Sequence, residues 1–286
     1  DNITDKWNLD EMAADIIYLG NEDLQYELPG SIKKVFDFSY WKQDQTGFPL
    51  YTVSEYLNTE KKHKELNFLD ITIKDLDHKL LDIIKKDKSI VLILVTNNKH
   101  GMAEQRRAVL KLYEYDCNAP VVLRRKYNTE DIEMLQVSAS ADLGGLLLDG
   151  IGDGVFIDSE KGNLRETNSL SFGILQATRT RISKTEYIAC PSCGRTLFDL
   201  QDVTAMIRSR TDHLIGVKIG IMGCIVNGPG EMADADYGYV GSGPGKITLY
   251  RGQEVVKRSV EQSVAVDQLI ELIKDDDKWT DPVVIA

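Results

Sequence analysis

Three of the four cysteines stand in two short segments whose composition suits a metal centre. Cys190 and Cys193 form a C-x-x-C pair within YIACPSCGR, and Cys224 opens the segment CIVNGPGE. A strand that runs into C-x-x-C places two thiols on the same side of one turn, as a metal site or a redox disulfide requires. A redox pair has no use for a third cysteine, whereas an iron–sulfur cubane takes four ligands from separate loops. The spacing therefore favours a cluster with three cysteine ligands and one further ligand.

Glu231 is the best candidate for the fourth ligand. It follows Cys224 by seven residues, beyond a Gly-Pro-Gly turn that can fold the chain back. A carboxylate binds iron more weakly than a thiolate, so it can leave and admit a substrate oxygen. By spacing alone, a solvated surface glutamate is an equally good interpretation. Zinc also stays open, although the nearest additional ligand, His213, begins the strand whose far end carries Cys224.

Basic residues are concentrated on either side of the first cysteine pair. Arg179, Arg181, Lys184 and Arg195 lie within a few residues of it in the sequence. A basic run is usually only a solvated face, but here these side chains could meet a phosphate or an acidic electron donor. Cys117 lies far from the other cysteines, before a predicted strand, and we expect it to be a packed core residue.

The overall composition excludes several classes of protein. The chain of 286 residues has a net charge of -11, with 42% hydrophobic and 28% charged residues. An acidic chain is a poor ligand for nucleic acid or an anionic membrane surface. The longest aliphatic run, residues 90–95, is far too short to span a bilayer, and no signal-peptide pattern opens the chain. Unpaired cysteines close together fit a reducing compartment, so we expect a cytoplasmic protein.

Residues 1–180 alternate between strand and helix patterns. Such alternation predicts a parallel sheet covered by helices. We count about five strands, fewer than the eight of a complete barrel, so the predicted α/β fold is an incomplete or degenerate TIM barrel. The predicted strands are 35–40, 68–73, 90–95, 120–123 and 145–148. The first predicted helix contains Leu9, Met12, Ile16 and Ile17. The remaining predicted helices are 76–84, 102–115, a helix that is capped by Thr129 and ends at Ala141, and 169–180.

Residues 181–286 have the pattern of a smaller α+β domain. Short strands are predicted at 187–189, from 215 to 221, and twice within 246–256. The second of these would deliver Cys224. Apolar spacing predicts a helix over 200–208 and a closing helix around Val266 and Ile273. The domain would hold about one hundred residues, enough for a core of its own.

The two cysteine segments together identify a family. TEYIACPSCGRTLFD over residues 185–199, followed by CIVNGPGE over residues 224–231, resembles the C-terminal domain of 4-hydroxy-3-methylbut-2-enyl diphosphate synthases. These are iron–sulfur enzymes of the methylerythritol phosphate route to isoprenoids. The resemblance implies a [4Fe-4S] cluster on Cys190, Cys193, Cys224 and Glu231, with Asn227 near the substrate. It also implies reductive opening of 2-C-methyl-D-erythritol 2,4-cyclodiphosphate with ferredoxin or flavodoxin as electron donor.

The chain departs from the family in one respect. The family's catalytic barrel, which binds the diphosphate with basic residues, would precede these residues and has no convincing counterpart here. Larger members interpose a second barrel-like domain before the cluster domain, and residues 1–180 look like that insert. We therefore expect a C-terminal portion of a larger enzyme, inactive alone, in which residues 1–180 act as a spacer. An electron-transfer iron–sulfur module and a zinc-stabilised interaction domain remain the alternatives.

Overall fold

The computed structural model describes residues 11–44, 46–190, 192–226 and 228–282, which fall into two compact units. Unit 1 is Asp1–Arg181 and unit 2 is Ile182–Ala286. The predicted boundary, after residue 180, lies next to this division. In the part of the chain that is described, each helix is too short or too polar to cross a bilayer.

Unit 1 is built on one parallel sheet of seven strands in sequential order. The strands are β1 (Ile16–Gly20), β2 (Lys33–Asp37), β3 (Phe48–Thr52), β4 (Asn67–Ile71), β5 (Ile90–Leu94), β6 (Val121–Tyr127) and β7 (Gly154–Ser159). Sequential parallel order is the topology of a βα barrel. The rings of Tyr18 on β1 and Phe156 on β7 lie 5.8 Å apart, so the two edges of the sheet curl toward each other. The prediction of a parallel sheet short of a complete barrel is confirmed.

The helices of unit 1 lie between these strands. They are α1 (Phe38–Asp44), α2 (Val53–Asn58), α3 (His78–Lys86), α4 (Gly101–Glu114), α5 (Ile132–Ala139), α6 (Gly145–Leu148) and α7 (Leu164–Ala177), with a π-helical turn at Ser140–Gly144. Side-chain caps fix several starts: Asp77 accepts from the Leu80 amide and Asn163 from the Arg165 amide. The apolar faces of these helices pack on one face of the sheet, where Leu69, Leu92 and Leu123 are fully buried.

The other face of the sheet carries two layers of side chains. Val35, Leu50, Phe68 and Ile93 form a separate apolar cluster there. Because side chains alternate along a strand, the residues two positions further on share that face. On β2 and β4 those residues are Asp37 and Asp70. Phe156 on β7 and Val122 on β6 pack against the same cluster, and the residues two positions after them are Asp158 and Arg124. An apolar layer is therefore followed by a charged layer toward the carboxyl ends of the strands.

Several predicted elements of unit 1 are wrong. Residues 145–148 form helix α6 and not a strand, because this run of Gly and Leu continues the preceding helix through the π-helical turn and buries Leu146 and Leu147. The strand comes later, at Gly154–Ser159, which raises the count from five to seven together with β1 and β3. The fifth helix starts after Asp131 and not Thr129, since the Asp131 carboxylate accepts two main-chain N–H bonds.

The first sixty residues differ most from the prediction. Ile16 and Ile17 belong to strand β1 and not to a helix, and Leu9 lies outside the described residues. The strand predicted over 35–40 ends at Asp37, where helix α1 begins with Phe38. The ring of Phe38 packs on Tyr51 with a centroid distance of 4.7 Å, a tertiary contact that a sequence pattern does not reveal.

Unit 2 is a five-stranded mixed sheet covered by helices. Its strands are β8 (Glu186–Ala189), β9 (Lys218–Met222), β10 (Tyr237–Gly243), β11 (Lys246–Arg251) and β12 (Glu254–Glu261), and its helices are α8 (Leu200–Thr211), α9 (Gly228–Glu231) and α10 (Gln262–Asp275). The sheet order is β12-β11-β10-β9-β8, with β8, β9 and β10 parallel and the last two strands antiparallel. The predicted helices and the β8, β9, β11 and β12 strands are confirmed, whereas β10 was not predicted.

Candidate metal centre

The cysteine segments follow two neighbouring parallel strands of unit 2. Cys190 directly follows β8, and its N–H donates to the carbonyl of Ile221 on β9. Gly223 directly follows β9, and its N–H donates to the Cys190 sulfur at 3.2 Å. Parallel strands end at the same edge of a sheet, so the pairing of β8 with β9 delivers Cys190 and Cys224 to one edge.

A tight turn carries the second cysteine. Ser192 adopts a left-handed conformation with φ of 65°. The Cys193 N–H donates to the Thr196 hydroxyl oxygen at 3.1 Å, and the Thr196 N–H donates back to the Cys193 carbonyl at 2.9 Å. These two bonds hold the Cys193 main chain while its side chain stays exposed. The thiol is therefore presented outward from a fixed backbone.

The two cysteine segments also touch each other through Gly223. The Leu197 N–H donates to the Gly223 carbonyl at 3.0 Å. A Cβ on Gly223 would lie 2.7 Å from Cγ2 of Thr196, closer than real Cβ contacts allow. Glycine is needed here because the turn around Thr196 packs directly on the Gly223 main chain.

Glu231 ends the one-turn helix α9. Gly228 at the start of this helix is buried, and a Cβ there would lie 3.0 Å from Cβ of Met222. The next residue, Met232, is fully buried and donates its N–H to the Gly228 carbonyl. The turn is thus anchored on both sides, while the Glu231 side chain is exposed.

Arg195 connects the ligand candidates electrostatically. The pKa of the Cys193 thiol is lowered chiefly by a hydrogen bond from the Arg195 main chain, and also by one from the Arg195 guanidinium. The same bond to Cys193, together with the negative groups of Cys193, Cys224 and Glu231, raises the pKa of Arg195. One cation therefore lies within electrostatic range of two cysteines and the carboxylate, which lowers their mutual repulsion when they are ionised.

The donor set fits an iron–sulfur cluster chemically, although the ligands are not gathered into a closed site. Among the described residues, no three His, Cys, Asp or Glu side chains are grouped as metal ligands. Three thiols and a carboxylate are nevertheless the donors that iron accepts, and the Gly223 N–H already points at the Cys190 sulfur. The Cys193 and Glu231 side chains are exposed and could move onto a metal. Asn227 and Pro191 lie outside the described residues, so the expectation for Asn227 stays a prediction.

The other predicted site residues lie in both units. Arg181 belongs to unit 1, where its guanidinium binds the Asp15 carboxylate at 2.5 Å and covers the Phe172 ring at 5.0 Å. Arg179 is also in unit 1 and has a left-handed φ of 58°. Lys184 is in unit 2 with Arg195. Cys117 is buried in the unit 1 core, as predicted.

Sequence reasoning overlooked two features. Thr196 stands within the cysteine motif, but its bond to the Cys193 N–H and its contact with Gly223 have no signal in the sequence. The charged layer on unit 1 was also missed, because its members are spread over four strands. There Arg124 binds Asp158 at 2.7 Å and Asp70 at 3.3 Å, and its guanidinium covers the Phe156 ring at 4.6 Å.

Comparison with known proteins supports the resemblance read from the cysteine segments. Residues 186–275 match the family described as the GcpE protein C-terminal domain. The chain is 49% identical over 265 residues to the 4-hydroxy-3-methylbut-2-en-1-yl diphosphate synthase (flavodoxin) of Parabacteroides distasonis, an alignment that covers 93% of this chain and 43% of that enzyme. The corresponding enzyme of Leptospira interrogans is 44% identical over 92% of this chain and 39% of its own length.

A plant relative extends the comparison. The chloroplastic 4-hydroxy-3-methylbut-2-en-1-yl diphosphate synthase (ferredoxin) of Oryza sativa is 46% identical over 226 residues, which are 76% of this chain and 30% of that enzyme. The chain thus spans less than half the length of the curated relatives it matches. The alignments include most of unit 1 as well as unit 2.

Proposed function

This chain is a relative of the 4-hydroxy-3-methylbut-2-en-1-yl diphosphate synthases, and on that premise we propose that it is the cluster-bearing portion of such an oxidoreductase. Unit 2 would hold a [4Fe-4S] cluster on Cys190, Cys193, Cys224 and Glu231. The observation that carries this proposal is the delivery of both cysteine segments to one sheet edge, with the Gly223 N–H donated to the Cys190 sulfur. The reaction would be the reductive opening of 2-C-methyl-D-erythritol 2,4-cyclodiphosphate in isoprenoid biosynthesis.

Each ligand residue has a different task in this proposal. When bound, the cluster supplies electrons one at a time and an iron that accepts an oxygen ligand. Cys190 is partly buried, and its sulfur accepts a main-chain hydrogen bond that would orient it as a ligand. Glu231 is the exchangeable ligand, because its carboxylate is exposed and binds iron more weakly than a thiolate. Asn227, for which the family resemblance implies a role near the substrate, would contact the substrate.

Basic residues near the cysteines would serve the electron donor or the substrate. Arg195 is exposed beside Cys193, so its charge is available to an acidic surface or a phosphate. Of the three relatives described above, two have flavodoxin in their names and one has ferredoxin. Acidic carriers of this kind would dock by charge complementarity, and Lys184 and Arg195 are the unit 2 residues we propose for that contact. Arg179 would be a further candidate for this contact. Arg181 would contribute less, because its guanidinium is already paired with Asp15.

Unit 1 would act as a spacer and not as the substrate barrel. A diphosphate needs several converging cations or a metal at the strand ends. On unit 1 the guanidinium of Arg124 is shared by the carboxylates of Asp70 and Asp158, and Asp37 adds a further negative charge to the same layer. Such a layer repels phosphate. The substrate cations would therefore come from an N-terminal catalytic barrel, which has no counterpart among the described residues, and the 286 residues would be inactive alone.

Two other functions compete with this proposal. A zinc-stabilised interaction domain would use the same cysteines, and an electron-transfer module would use the same cluster. Glu231 argues against simple electron transfer, because a carrier gains nothing from a labile ligand. Metal content separates zinc from iron directly.

The test is metal analysis after anaerobic purification. We expect about four iron and four sulfide per chain, with a broad brown absorption band. Cys224→Ser should lose most of the iron, whereas Cys117→Ser, which changes a core cysteine, should retain it. One zinc per chain without sulfide, or equal iron in both variants, would refute the proposal.

A further inference from the structure

Thr196 links the two cysteine segments. Its hydroxyl oxygen accepts the Cys193 N–H at 3.1 Å and lies 3.2 Å from the hydroxyl of Ser192. Its methyl group faces the main chain of Gly223, the residue before Cys224, so closely that a Cβ on Gly223 would lie 2.7 Å from it. One small side chain therefore touches the turn of the C-x-x-C pair and the segment that carries the third cysteine.

Two main-chain bonds reinforce this junction. The Leu197 N–H donates to the Gly223 carbonyl, and the Gly223 N–H donates to the Cys190 sulfur. The peptide groups around Gly223 are thus tied to residues on both sides of Thr196. Gly241 packs on the same point, since a Cβ there would lie 2.4 Å from the Gly223 carbonyl oxygen. These contacts leave Gly223 little freedom to move relative to Thr196.

We propose that Thr196 is a positioning residue for the metal ligands, an inference that rests on the proposed function of unit 2. Its hydroxyl fixes the main chain of Cys193, and its small side chain lets that turn pack against the Gly223 main chain beside Cys224. Residues that orient metal ligands without touching the metal typically change affinity roughly 10-fold to 100-fold when replaced. Thr196 contacts ligand-bearing main chain on both sides, which is the arrangement such a residue requires.

A purely structural role for Thr196 would show itself differently. The Cys193 turn is exposed, so water can replace the lost hydrogen bond and the free energy of unfolding changes little. Thr196 is also not part of the buried clusters that form the unit 2 core. Metal affinity and the absorption spectrum of the bound metal should therefore respond to its replacement more strongly than the melting temperature.

The test is titration of the metal-free full chain with Co²⁺ under anaerobic conditions. Cobalt bound by thiolates gives intense charge-transfer and d–d absorption bands that report the number and geometry of sulfur ligands. Thr196→Val keeps the shape of the side chain and removes the hydroxyl, so we expect roughly 10-fold weaker binding and altered d–d bands. Thr196→Ser keeps the hydroxyl and should bind Co²⁺ with the affinity of the unsubstituted chain.

Thr204→Val provides a matched control in the same unit. The Thr204 hydroxyl is buried without a hydrogen-bond partner in the described part of the chain, so this change should alter neither affinity nor spectrum. Gly223→Ala tests the other side of the junction and should weaken Co²⁺ binding. In a Thr196→Ala background, where the two nearest atoms, Cγ2 and Oγ1, are absent, the same change should cost much less, a non-additivity that indicates direct coupling.

The outcomes separate the inference from the proposed function. If the unsubstituted chain gives no thiolate absorption with Co²⁺, the proposed function fails and the role of Thr196 falls with it. If the unsubstituted chain binds Co²⁺ but Thr196→Val binds it equally well, only the role of Thr196 is refuted. Loss of binding in Thr196→Ser would also refute it, and that variant decides the question if Thr196→Val does not fold.

Discussion

Replacing Asp70 with Asn should stabilise unit 1 at neutral pH and not at acid pH. Asp70 lies on β4 in the charged layer, where it faces Arg124 on β6, Asp37 on β2 and Asp158 on β7. One of its carboxylate oxygens, Oδ1, is buried and has no hydrogen-bond partner among the described residues. Burial, opposed by Arg124 and assisted by the other two carboxylates, raises the pKa of Asp70 from 3.8 to about 6.

The raised pKa fixes the sign and size of the effect. The native state binds the Asp70 proton more tightly than the unfolded state, so the stability that this proton contributes is complete below pH 4 and is lost as the pH rises through 6. A pKa difference of about 2 corresponds to about 3 kcal/mol, at about 1.4 kcal/mol per unit. Because 28% of the side chain is exposed, we expect about 2 kcal/mol. Asn resembles the protonated acid, so Asp70→Asn should retain this contribution at pH 7.5.

The assay is urea unfolding of both proteins between pH 4 and pH 7.5, followed by tryptophan fluorescence. Trp279→Phe in both backgrounds leaves only the tryptophans of unit 1. The stability difference should grow from about zero at pH 4 to about 2 kcal/mol at pH 7.5, with unchanged m-values. A variant equally or less stable at pH 7.5 would show that Arg124 fully compensates the buried charge and that the layer does not repel anions.

Asp87→Asn supplies the control of opposite sign. Burial acts to raise the pKa of Asp87, but hydrogen bonds from Ser89 and Tyr56 outweigh it and lower the pKa. Asp87 therefore contributes stability at neutral pH that is lost as the pH falls through its lowered pKa. The variant should be less stable than the unsubstituted chain at pH 7.5, and the difference should shrink toward acid pH.

Three further predictions concern the site and one concerns the fold. Glu231→Ala should assemble a cluster on three cysteines, yet turnover of the full-length enzyme should fall roughly 100-fold or more; normal turnover would remove Glu231 from the mechanism. Air should convert the proposed cluster to a three-iron form or strip it, because one iron would have the exchangeable Glu231 carboxylate as its single protein ligand. An unchanged iron content and spectrum after prolonged exposure would contradict this. The 286 residues should show no reductive turnover with a chemical donor until a separately expressed catalytic barrel is added, and activity without it would reveal a substrate site in unit 1. Gly101→Ala should lower the free energy of unfolding by about 1–3 kcal/mol in urea titrations, because its Cβ would lie 2.0 Å from Nη1 of Arg125. That guanidinium is held by Asp142 and by the carbonyls of Thr96 and Asn98, and its displacement would strain these contacts. A loss below about 0.5 kcal/mol would show that Arg125 relaxes freely.

Hydrophobic periodicity predicted the elements whose burial is one-sided or complete. β5 is a continuous aliphatic run, and α3 places Leu80 and Ile84 on one face, so both follow from the sequence. The strand predicted at 145–148 is wrong because four residues of Gly and Leu show no hydrophobic periodicity that would distinguish a strand from a helix. The preceding helix continues into them through a π-helical turn. β10 was missed for a different reason. Its glycines lower strand propensity, yet a Cβ on Gly238 would lie 2.5 Å from Cε of Met232, so the packing of the sheet requires them.

The candidate ligands can be selected from the sequence, whereas the contacts that support them cannot. The motifs containing Cys190 and Cys224 are contiguous in sequence, so residue type and spacing suffice to select them. The contact between Thr196 and Gly223 joins residues that are distant in sequence. It exists because β8 and β9 pair in parallel and end at the same edge. Spacing says nothing about that register, so a support of this kind becomes visible only in the folded chain.

The candidate ligands differ in how firmly the fold holds them, and this difference has a chemical consequence. Cys190 is partly buried, its N–H donates to the Ile221 carbonyl, and its sulfur accepts the Gly223 N–H. The backbone of Cys193 is fixed by its hydrogen bonds with Thr196. Glu231 is exposed at the end of a single helical turn. The buried residues Gly228 and Met232 hold the main chain of this turn and leave the Glu231 side chain free of the core. A long, exposed carboxylate can leave a metal without disturbing the sheet, whereas Cys190 cannot. If these residues bind a metal and one ligand gives way to an oxygen ligand, we therefore expect Glu231 to be the one that leaves.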